Sequence, residues 1–180
     1  MAEYLLASYH SSTADNTVYS VNWDAQSFPI VAPVFITKVL LKLYRYNLVG
    51  TIYALIRATT LGVPSGANLA SKSMNGNDLT TSSSGAIYTF TFDTPLLVSA
   101  GQYAIVVAAP SGSGTKVLYW KRTTGSDGYP SGKSFFSSNS GASWREQSNA
   151  DQWFEVWGED APVAIESSIL PKLVAMRGVR

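Results

Sequence analysis

The sequence predicts an all-β protein, an antiparallel β-sandwich of jelly-roll-like form with an extended C-terminal tail, and three observations carry that expectation. Apolar residues alternate at period two in short runs, turn residues punctuate those runs, and no amphipathic helix stands between them before the tail. About ten strands joined without helical spacers form the pattern of a sandwich whose loops gather at its two ends.

Residues 4–9 open the chain as a first strand, and 17–23 form a second in which Thr17, Tyr19, Val21 and Trp23 are expected to face the core. A strand over 26–31 ends at Ala32-Pro33. The longest candidate, 34–46, sets Val39, Leu41 and Leu43 on one face and Lys38, Leu40, Lys42, Tyr44 and Tyr46 on the other. In the next strand Ile52, Ala54 and Ile56 alternate with Tyr53, Leu55 and Arg57. A loop is expected over 60–67, a short strand over 68–73, and a turn at Asn75-Gly76-Asn77-Asp78, whose residues tolerate positive φ at little cost.

The chain is organised around residues 86–109. Tyr88, Phe90 and Phe92 alternate with threonines, then 103–108 is a nearly continuous apolar run, and Asp93-Thr94-Pro95 is expected to break the first strand from the second. Further strands follow over 116–122 and at Lys133-Ser-Phe-Phe, with the last over 152–158. The sandwich is thereby assigned to residues 1–160, and 161–180 to an arm or linker.

Composition narrows the function classes. Only 14% of the 180 residues are charged and the net charge is +1, which excludes the concentrated basic surface of a nucleic-acid binder. No stretch reaches the ~20 apolar residues of a membrane-spanning helix. Glu3 and the lack of Lys or Arg before the first apolar patch depart from a secretory signal. A composition rich in Ser, Thr, Gly and aromatics nevertheless suits work outside cells, and a virion component satisfies both observations. So does a secreted or surface protein without its leader.

Val39-Leu-Leu-Lys-Leu-Tyr, Gly50-Thr-Ile-Tyr-Ala-Leu-Ile, Pro64-Ser-Gly66, Tyr88-Thr-Phe-Thr-Phe92, Ala100-Gly-Gln-Tyr-Ala-Ile105, Tyr129-Pro-Ser-Gly132, Ser140-Gly-Ala-Ser-Trp144 and the segment from Asp151 to Gly158 follow in an order that resembles the choice-of-anchor type of β-sandwich domain. Such domains occur in bacterial surface proteins and in phage structural or tail proteins. The resemblance, over about residues 34–158, implies attachment or assembly and no catalytic residue.

Ser137-Ser-Asn-Ser-Gly-Ala-Ser-Trp144 also looks like a single Asp box, a hairpin in which the Asn and Gly shape the turn and the Trp packs beneath. It is therefore read as structural. His10 is the one histidine and there is no cysteine. Its neighbours Ser11 and Ser12 alternate across a strand and make no nucleophile–base pair. Asp151 and Glu155, ~13 Å apart at strand rise, are too distant for paired-carboxylate hydrolysis. Asn75, Asn77 and Asp78 lack a calcium-loop pattern. No enzyme, cofactor or metal is expected.

Two functions remain. The first is a virion structural protein, a phage capsid-decorating or tail-associated protein that meets itself and other virion proteins. Its subunit interface would use Leu40, Tyr44, Tyr46, Tyr53 and Leu55, with Ile169, Leu170, Leu173 and Val174 of the tail. The second is a carbohydrate-binding attachment module for cell-surface glycan, with a platform drawn from Trp120, Asp127, Tyr129, Trp153 and Trp157.

Overall fold

The computed structural model describes residues 2–125 and 128–161. In chain order the strands are β1 (Tyr4–Tyr9), β2 (Ala14–Val18), β3 (Trp23–Ile30), β4 (Val34–Tyr46), β5 (Thr51–Thr60), β6 (Val63–Asn75), β7 (Ala86–Val98), β8 (Gly101–Ala108), β9 (Val117–Thr124), β10 (Ser134–Ser137), β11 (Arg145–Gln147), β12 (Ala150–Gln152) and β13 (Phe154–Asp160). A 3-10 turn, Gly76–Asp78, sits where the Asn-Gly signal predicts a turn. The strands form two antiparallel sheets, as the sequence predicts. One runs β1-β13-β4-β9-β12, with β7 also on β4 and β2 also on β9; the other runs β11-β10-β3-β8-β5-β6. The expected interface residues Ile169, Leu170, Leu173 and Val174, and the expected glycan contact Asp127, lie outside the described residues.

β4 is the axis of the seven-stranded sheet because its two faces differ in chemistry. Val39, Leu41 and Leu43 are fully buried, as are Ile52, Ala54 and Ile56 of the facing sheet. Between the sheets they pack with Phe28, Phe90, Ile105, Trp120 and Phe154 into one apolar core. Along one edge β4 changes neighbour: β13 pairs with it as far as Leu41, and β9 takes over from Leu43. Trp153 occupies that junction. Its N–H donates to the Lys121 carbonyl and its own carbonyl accepts the Trp120 indole N–H at 2.8 Å.

Several local expectations are corrected. In β2 it is Val18 that is fully buried while Thr17 is exposed, because a polar layer containing Asn16 shares the inward side. Residues 19–22 form a turn with Ser20 at φ +51°, and Trp23 then faces the outside of the other sheet. Asp93-Thr94-Pro95 does not end β7. Those residues bulge away from β4 between Thr91 and Leu96, after which pairing resumes through Val98, so Pro95 needs no ladder bond. β7 and β8 belong to different sheets rather than forming a pair. The loop expected over 60–67 is a tight turn at Leu61-Gly62 between two long strands, with φ positive at both residues. The last strand is split at Trp153 into β12 and β13.

Candidate functional site

Strand parity turns one side of every strand in the seven-stranded sheet outward, and on that outer face rings and charges collect. Trp157 and Lys38 are paired residues of β13 and β4, and Lys38 Nζ lies 5.4 Å from the centre of the Trp157 ring. Lys38 is also ion-paired with Glu3, whose carboxyl is held below its usual range chiefly by that hydrogen bond. Two residues along, Glu155 Oε2 accepts the Trp157 indole N–H at 2.6 Å while Glu155 Oε1 lies 2.9 Å from His10 Nε2. The His10 ring stacks on Trp153 with centroids 5.0 Å apart. Farther along β4, Tyr44 stacks on its cross-strand partner Tyr119 at 4.5 Å and 4°. The Tyr44 hydroxyl donates to Asp15 Oδ2 at 2.9 Å, and Asp15 is ion-paired with Lys121, whose ammonium stands 5.6 Å from the Tyr44 ring. Burial, and then the Asp15 carboxylate, raises the Tyr44 phenol well above the ordinary tyrosine range, so it stays a donor.

Three rings or ring pairs, each with a carboxylate and a nitrogen base beside it, thus follow one another along β4. From the Lys38 row to the Tyr44 row is ~20 Å at strand rise. The outward side chains between are Leu40 and Lys42, and the Ser-rich loop before β7 rims the face, its Ser83 carbonyl accepting from Lys121 Nζ at 3.0 Å. Ring faces take the C–H side of a sugar, while a carboxylate held by a neighbouring N–H or ammonium presents a fixed acceptor for hydroxyls. The arrangement suits a polyhydroxylated chain several sugar units long.

The expected site residues divide by position. Trp157 is on this face and half-buried; Trp153 is there too, but 5% exposed beneath His10. Trp120 is fully buried with its N–H bonded inside the core, so its ring is no platform. Tyr129 lies elsewhere, edge-on to Phe154 and beside a cleft of about 460 Å³ formed with Tyr4, Pro29, Val31 and Ser131. Burial, helped by Asp151, pushes its phenol up to about 12.

The residues expected to form a subunit interface do not make one patch. Leu40, Tyr44 and Tyr46 share the face just described, whereas Tyr53 and Leu55 point out of the opposite sheet. Leu55 is 3% exposed there, covered in a small cluster with Ala25, Val106, Phe135 and Trp144. The hairpin over 137–144 lies against that cluster, its turn shaped by Asn139 as its sequence predicts: the Asn139 carboxamide accepts the Ser143 N–H, and Gly141 gives its carbonyl to Arg57.

Asp151 and Glu155 are separated by the break at Trp153. Asp151 is buried and caps the backbone N–H groups of Gly128 and Tyr129, both at 3.0 Å. No cluster of three His, Cys, Asp or Glu is present among the described residues.

Sequence reasoning missed Asp15, Lys121 and Tyr119 as members of the face, because their juxtaposition depends on β2 and β9 converging on β4. It also missed a polar layer between the sheets. Gln147 there donates to Asp24 at 3.1 Å and accepts from Asn16 at 3.3 Å and from Arg122. Burial raises the Asp24 carboxyl well above its usual range, opposed by the Arg122 guanidinium and the Gln147 amide.

No protein-family model matches this sequence, and no curated protein matches it. Among solved structures, the clostridial cysteine protease Cwp84 after propeptide cleavage is similar over 88% of this chain and 40% of its own, with TM-score 0.57 and 15% identity. A second structure holds the cysteine protease and lectin-like domains of Cwp84, a surface-layer-associated protein of Clostridium difficile. It is similar over 82% of this chain and 36% of its own, with TM-score 0.50 and 16% identity. At these identities the likeness shows the fold alone, and the chain spans well under half the length of either protein. A carbohydrate-binding module, CBM36, in complex with calcium and xylotriose is more distant, with TM-score 0.36 and 14% identity over 67% of this chain and 96% of its own.

Proposed function

We propose that this domain is a carbohydrate-binding module that works outside the cell, secreted or at a cell surface, and that it holds glycan on the outer face of its seven-stranded sheet. The observation that carries the reading is the line of rings along β4, with the carboxylates of Glu3, Glu155 and Asp15 and the ammonium groups of Lys38 and Lys121 set among them. The lectin-like domain named in one structural neighbour is in keeping with it. Attachment, which the resemblance to choice-of-anchor domains implies, is a use to which such a face is suited. Virion assembly gains less from the geometry. Subunit interfaces exclude charge from their centres, whereas this face carries Lys38, Lys42, Lys121, Asp15 and Glu155 among its rings. A glycan microarray tests the reading, with wild type and Trp157→Ala compared. Wild type should be retained on a defined subset of glycans and the variant should lose about tenfold or more in affinity, the loss of a ring contact and its hydrogen-bond partner. Equal retention of the two proteins, or none by either, would contradict it.

A further inference from the structure

The outer face carries both signs of charge, and one of its lysines stands without a carboxylate partner among the described residues. Lys38 is paired with Glu3, Lys121 with Asp15, and His10 contacts Glu155. Lys42 has no carboxylate within ion-pair distance and no hydrogen-bond partner among the described residues. It is half-buried, stands between Leu40 and Tyr44 on the outward side of β4, and pairs with Ile87 of β7. The Leu43–Trp120 pair places Lys121 next to it across the β4–β9 ladder, so Lys42 stands mid-face between the His10–Trp153 and Tyr44–Tyr119 stacks. Of the outward acids on β13, Glu155 is the nearer, opposite Leu40 and in contact with His10, while Glu159 is at the other end, opposite Phe35, ~20 Å or more from Lys42 at strand rise.

We infer that the face takes an acidic glycan, with a carboxylate or sulfate of the sugar chain seated on Lys42. This rests on the glycan-binding reading and adds a substrate class to it. The outer rings of the two stacks, His10 and Tyr119, hold the chain by its C–H surfaces, and Lys42, without an ion-pair partner among the described residues, fixes which sugar carries the anion. A neutral chain would leave Lys42 without an ion-pair partner, an acidic one supplies it, and a polyanion would gain one strong contact rather than many. The dependence on salt is therefore shallow, as for a single neutralised charge, unlike that of a basic patch.

The test uses cellohexaose and xylohexaose as neutral probes, oligogalacturonate and alginate oligomers as uronates, and heparin hexasaccharide as a sulfated probe. Each is titrated against wild type, Lys42→Gln and the control Lys116→Gln. An acidic probe should bind wild type about tenfold better than the neutral ones, the worth of one charge-assisted hydrogen bond. Lys42→Gln should lose that preference, and Lys116→Gln should keep it. The uronate and heparin arms show which anion is read. Neutral binding without an acidic preference, or a preference that survives Lys42→Gln, would overturn this inference and leave the glycan-binding reading standing. Binding of no probe, together with no retention on the glycan microarray, would overturn both.

Discussion

Trp120 and Trp157 are the same residue type with opposite placements, and strand parity decides between them. Trp120 shares the inward side of β9 with Leu118 and is fully buried; Trp157 shares the outward side of β13 with Glu155. Trp120→Ala should therefore cost about 3–5 kcal/mol in a denaturant melt, the usual cost of emptying a buried large-ring site. For Asp24 the sign of the pH effect is fixed by its burial. Its folded pKa is raised, so its contribution to stability is fully present below the unfolded value of about 3.8 and is lost as pH rises through the folded one. Relative to wild type, Asp24→Asn should gain melting temperature progressively as pH rises above about 4. A constant or falling difference would mean that Arg122 keeps Asp24 ionised throughout. Parity was plain in the sequence for Val39, Leu41 and Leu43, whose alternates include two lysines. It was ambiguous in β9, where Leu118 and Trp120 share their side with Arg122, and each side mixes apolar and basic residues.

At the scale of the element, the hairpin over 137–144 shows how a local motif is read correctly from sequence while its location is not. Gly141 sits at φ +76°, and a Cβ there would meet Arg57 Nη1 and Trp23 at 3.0 Å and Trp144 at 3.1 Å. Gly141→Ala should destabilise the domain by more than the ~1 kcal/mol of an ordinary glycine exchange, with hydrogen exchange speeding first over 137–144. If exchange there is unchanged, the hairpin is not held by that approach. The motif itself was legible because Asn139, Gly141 and Trp144 are close in sequence. That it closes over Leu55, taking that residue out of any exposed patch, depends on β5, β8, β3 and β10 lying side by side. The bulge of β7 was hidden for the same reason. Pro95 reads as a strand end, and only the resumed pairing of Leu96 with Ile36 shows otherwise.

Across the whole molecule, the sandwich separates into two outer faces the outward residues that the sequence places near one another in β4 and β5. Fold class was legible because period-two alternation persists through the chain. The grouping on the outer face of rings and charges was not, since β1, β2, β4, β9 and β13, spread from one end of the described chain to the other, meet there. Glycan bound on that face would lie against Trp157 and would not reach Trp120. The most direct test follows the indole N–H signals of labelled protein by NMR while a glycan retained on the microarray is titrated in. The Trp157 signal, bonded to Glu155 at the surface, should move, and that of Trp120, bonded to the Trp153 carbonyl within the core, should stay, with amide shifts confined to β13, β4 and β9. Shifts clustered instead around Tyr129–Ser131 or over β5 and β6, with Trp157 unmoved, would contradict it.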